Sequence, residues 1–90
     1  MQTVVRRQTV CNAQRFTGMD AAREQFAINL RTHRERVGLS QEGLADLADL
    51  DRTEISLLER GKRFPRLDTL VRLSRGLKLA SPAELLDGIR

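Results

Sequence analysis

A single cysteine, Cys11, among 90 residues leaves no partner for an internal disulfide and no thiolate set for a zinc site, a usage that suits a reducing cytosol. Rings are almost as scarce, with three Phe and neither Tyr nor Trp. Stacking platforms for single-stranded nucleic acid need exposed rings, so that mode of binding is disfavoured. Leu, Val and Ile must therefore supply the core. No run of 18 apolar residues is present to span a bilayer. Arg6 and Arg7 have no apolar stretch behind them, which argues against a secretion signal and for a cytoplasmic location. His33 is the sole histidine, Ser40 and Ser56 lack a histidine base at useful spacing, and no glycine-rich phosphate loop occurs. The expectation is a binding module, not an enzyme, with no cofactor and no metal.

What is present is a composition of 40% apolar and 31% charged residues, that of a single globular unit. The net charge of +4 is unevenly placed. Residues 1–59 hold eight Arg against nine carboxylates, and residues 41–59 hold six acids with Arg52 as their one base. The seven residues 60–66 contain Arg60, Lys62, Arg63 and Arg66 with no acid among them. A loop this basic is a candidate phosphate contact, because Lys and Arg gain affinity for a polyanion by releasing its counterions.

Periodicity divides the chain in two. Residues 1–20 show none that is sustained and read as an N-terminal arm, disordered or weakly extended, with Met19 a candidate natural start. Residues 21–90 read as an all-α domain of five helices. Asp20 caps the first, which runs to about Arg36 with Phe26, Leu30 and Val37 on one face, and Gly38 stops it. Ser40 caps a second, Gln41 to Ala48, in which Gly43 costs roughly 1 kcal/mol. Asp51 and Glu54 form a capping box for a third, Arg52 to Arg60, stopped by Gly61. Leu67 to Leu77 is the fourth, apolar at Leu67, Leu70, Val71, Leu73 and Leu77. Ser81 and Pro82 open a fifth, to about Gly88. Leu85, Leu86 and Ile89 at the end of so small a domain have little core left to cover them, so a homodimer interface is expected there.

Two short helices joined by a tight turn, with the small Ala45 at the closest point, form the helix-turn-helix pattern. Projected around its axis, the third helix turns Ile55, Leu58 and Glu59 inward and Arg52, Thr53, Ser56, Leu57 and Arg60 outward. A guanidinium, two hydroxyls and one apolar chain are a set that reads base edges: guanine by Arg, several edges by Ser or Thr, the thymine methyl by Leu.

Gly38-Leu39-Ser40-Gln41-Glu42, Leu44-Ala45, Leu50 through Ser56, Glu59-Arg60-Gly61, then Pro65 and Leu70, resemble the phage-repressor-like helix-turn-helix family, which includes lambda repressor, Cro, the xenobiotic-response-element regulators and the controller proteins of restriction systems. The resemblance spans about residues 25–87. It implies a five-helix lambda-repressor-like fold and a sequence-specific transcriptional regulator that binds double-stranded DNA as a homodimer on a palindromic operator. Carried over, it places Arg52, Thr53, Ser56 and Leu57 at base-reading positions. It places Gln41, Lys62, Arg63 and Arg66, with Arg60 beside them, on the DNA backbone. Arg34 and Glu59 match a buried ion pair, which agrees with an inward-facing acid needing a cationic partner. The competing expectation is a protein-interaction module, an antitoxin or an adaptor, whose partner is a toxin or RNA polymerase.

Overall fold

The computed structural model describes residues 18–89, and among these there are helices and no strands. α1 runs Gly18–Arg36, α2 Gln41–Ala48, α3 Arg52–Glu59 and α4 Leu67–Gly76, followed by a 3-10 helix, Pro82–Leu86. α1 begins inside the 1–20 span read as an arm; the rest of that span lies outside the described residues. Asp20 is therefore not the cap but a first-turn residue, and it pairs with Arg23.

All four α-helices stop in the same way. A residue in the left-handed region follows each, Gly38 (φ 77°), Asp49 (φ 58°), Gly61 (φ 70°) and Lys78 (φ 59°). The next amide then reaches back five residues, Leu39 to Arg34, Leu50 to Ala45, Lys62 to Leu57 and Leu79 to Ser74, at 2.8–3.1 Å. This closure absorbs carbonyls that the helix itself cannot pair. Ser40 starts α2 as the sequence suggests, its Oγ accepting from the Gly43 amide at 2.9 Å. A methyl group at Gly43 would press to 3.3 Å from that Oγ.

The core is one cluster. α1 supplies Phe26 and Leu30, α2 Leu44, Ala45 and Ala48, α3 Ile55 and Leu58, and α4 Leu70 and Leu73, with Leu77 just past its end. Three residues assigned to apolar faces stand outside it: Val71, half-buried within α4, Val37, 50% exposed beyond the end of α1, and Leu67, 76% exposed at the first position of α4. Val37 and Leu67 occupy helix ends, where the chain has left the packed stripe.

The fifth element departs further from expectation. It is a five-residue 3-10 helix, with the Ser81 hydroxyl accepting from Ala83 and the Glu84 carboxylate from Ala80. Leu85, expected at a dimer interface, is fully buried in the chain's own core, Ile89 packs against that core, and only Leu86 stays exposed, at 39%. Asn29 of α1 explains this placement. Its amide donates to the carbonyls of Leu85 (3.0 Å) and Asp87 (2.8 Å), while Gln25 orients it by donating to its Oδ1 at 2.9 Å.

Candidate nucleic-acid interface

The inner side of α3 is fixed by a polar network. Glu59 is 5% exposed, and its carboxylate accepts from Arg34 Nε at 2.6 Å and Arg34 Nη2 at 3.0 Å. Arg34 Nη1 spans to the Leu39 carbonyl at 2.9 Å, so one guanidinium joins α1, the turn before α2, and α3. The hydrogen bonds that it donates to Glu59 hold the Arg34 guanidinium above its ordinary pKa, against the desolvation that lowers it. Gln41 Nε2 adds a third donor to Glu59 at 3.1 Å, tying the first residue of α2 to α3. Burying a carboxylate without donors would be costly; here both oxygens are occupied.

The outer side is open. Arg52 and Thr53, in the first turn of α3, are exposed, and neither side chain makes a hydrogen bond or ion pair with any described residue. Ser56 and Leu57 follow on the same side, half-buried. Asp46 and Asp49 are exposed on α2 and its closing turn. The capping box is not formed: Asp51 occupies the N-cap position, but its side chain accepts no cap hydrogen bond. Glu54 instead accepts from Arg63 Nη1 at 2.7 Å, because the loop after α3 folds back beside the helix start.

That loop presents the remaining bases. Arg60 Nε reaches only the Ser56 carbonyl, at 3.4 Å. Lys62 is exposed with no partner among the described residues, and Arg66 lies 4.0 Å from Asp68 with both side chains largely in solvent. Phe64 is half-buried, with the Arg23 guanidinium 6.0 Å from its ring centre. The structure thus gathers Arg52, Thr53, Ser56 and Leu57 on one helix side, with Arg60, Lys62, Arg63 and Arg66 on the adjoining loop. It sets Leu85 apart, inside the core. Sequence reasoning missed the Asn29 clamp, whose only signal is an amide side chain on the inner half of α1. No three His, Cys, Asp or Glu side chains of the described residues group to hold a metal ion, and no helix is long and apolar enough to cross a membrane.

A helix-turn-helix domain family model matches residues 25–87. The control protein C.SmaI of Serratia marcescens is 40% identical over 60 residues, 67% of this chain and 71% of that protein. The crystal structure of the restriction-modification controller protein C.AhdI from Aeromonas hydrophila is 40% identical, with a TM-score of 0.69 over 72% of this chain and 97% of that one. C.Esp1396I, solved as a tetramer in complex with its natural 35 base-pair operator, is 28% identical, with a TM-score of 0.65 over 70% and 83% of the two chains. The chain belongs to the phage-repressor-like helix-turn-helix family. The relatives named here are control proteins, not enzymes.

Proposed function

We propose that the chain is a sequence-specific transcriptional regulator that binds a palindromic operator in double-stranded DNA as a homodimer, from the cytoplasm, with α3 in the major groove. The observation that carries this reading is the contrast on α3 itself. Its inner side is fully partnered, while Arg52 and Thr53 at its leading turn spend no side-chain donor on any described residue and stand beside a loop of four bases. Helices of this motif contact base edges through their N-terminal residues. Arg52 pairs with O6 and N7 of a guanine, Thr53 and Ser56 meet neighbouring edges, and Leu57 meets a thymine methyl. Gln41, Arg60, Lys62, Arg63 and Arg66 fix the register on phosphates, which carry no sequence information. The Gln41 bond to Glu59 couples that phosphate contact to the reading helix. The likeness to C.AhdI and to the operator-bound C.Esp1396I supports the same assignment.

Selection of bound duplexes from random DNA tests the proposal. An inverted repeat with half-sites ~34 Å apart is expected, one helical turn, matching the two-fold symmetry of a dimer. Recovery of no shared sequence, or a chain that sediments as a monomer both free and on the selected duplex, overturns it.

A further inference from the structure

The acidic and basic parts of this surface meet at one ion pair that neither packing nor capping requires. Glu54 is the third residue of α3, and Arg63 Nη1 donates to its carboxylate at 2.7 Å. The two side chains are 23% and 52% exposed, a degree at which an ion pair contributes little to stability. Among the four bases of residues 60–66, Arg63 alone is held this closely by an acid: Lys62 has no partner among the described residues, and Arg66 is 4.0 Å from Asp68. A phosphate that draws Arg63 away leaves Glu54 as a bare carboxylate beside the duplex. Each use of Arg63 on DNA therefore costs the pair and adds a repulsion.

We propose that Glu54 is a specificity-determining residue: it withholds Arg63 from the phosphates of non-operator DNA and yields it only where base contacts through α3 supply the free energy to break the pair. This inference rests on the DNA-reading face assigned above. It makes the operator complex neutralise one more phosphate than the random complex, so the log–log salt slope of the wild type is steeper on the operator by about one.

The test measures that slope on the selected operator and on a random duplex for the wild type, Glu54→Gln, Arg63→Ala and the double variant. Neither residue contributes to the core, so all four chains keep the fold. Glu54→Gln should tighten random-duplex binding several-fold and steepen its slope by about one, leave the operator slope unchanged, and so narrow the affinity ratio. In the Arg63→Ala background, Glu54→Gln should leave the slope as it is. An unchanged random-duplex slope in Glu54→Gln, or equal steepening with and without Arg63, overturns the inference while the DNA-reading face stands. A flatter slope also overturns it, since Glu54 would then be orienting Arg63 onto a phosphate. A wild type that binds neither duplex overturns the face itself, and this inference with it.

Discussion

Two stretches of the sequence invite a partner, residues 85–89 by apolar side chains and residues 60–66 by charge, and the fold treats them oppositely. The apolar stretch is consumed at home: Leu85 completes the core, Ile89 leans on it, and Asn29 holds the backbone in place. The basic stretch stays on the surface with most of its donors unspent. At Leu85 the chain gains more by completing its own core than by offering the side chain to another molecule. Charge follows the reverse rule, because desolvating a guanidinium costs more than leaving it wet.

The contrast is sharpest at Leu85. Leu85→Ala should cost about 2–5 kcal/mol of stability, the range for truncating a fully buried leucine, whereas Leu86→Ala should cost well under 1 and act, if anywhere, on dimerisation. Chemical denaturation and sedimentation of the two variants separate these effects; equal losses would erase the distinction between the segments. Next in size is the pair under α3. Arg34→Ala and Glu59→Ala should each lose on the order of 3 kcal/mol, and the double variant less than their sum, since either truncation strands the other charge. Small additive losses would mean that the network holds nothing.

On the surface side, effects should move from stability to binding. Arg52→Ala should leave the melting temperature nearly unchanged and lose ~1–3 kcal/mol of operator affinity, with relaxed preference at one base pair per half-site. Equal weakening on operator and random DNA would make Arg52 a phosphate clamp. Smaller still, Lys62→Ala should weaken binding to all sequences alike and flatten the salt slope by roughly one. An unaltered slope would leave Lys62 a solvated side chain.

Much of this was legible in the sequence where the cause is local. Gly38 and Gly61 announce helix ends, Asp49 tolerates the left-handed turn, and Ser40 caps α2 as its type suggests. Lys78 adopts the same conformation without any such signal, since its side chain gives the backbone no local reason to do so. The failures come from distant competition. Asp51 and Glu54 satisfy a capping-box pattern, yet Arg63, nine residues along, takes the carboxylate. Which of Leu85 and Leu86 faces inward is decided by Asn29, 56 residues earlier in the chain, and a segment shorter than two turns carries no periodicity to show it. The site residues stood out because outward positions on a short helix follow from its inward ones; Glu59 was placed by that geometry, its partner Arg34 only with the family resemblance.

The carboxylate of Glu59 also acts as a key in a slot. Successive side chains on a helix are set about 100° apart, so on the reading proposed above a roll of α3 by one residue would swap Thr53 for Arg52 in the groove and read a different sequence with the same side chains. Ile55 and Leu58 resist that roll only as greasy surfaces do, by shape. Glu59, gripped by donors from α1 and α2, resists it by direction, because a turned carboxylate loses three hydrogen bonds at once. The angular setting of α3 is thus fixed within the fold itself.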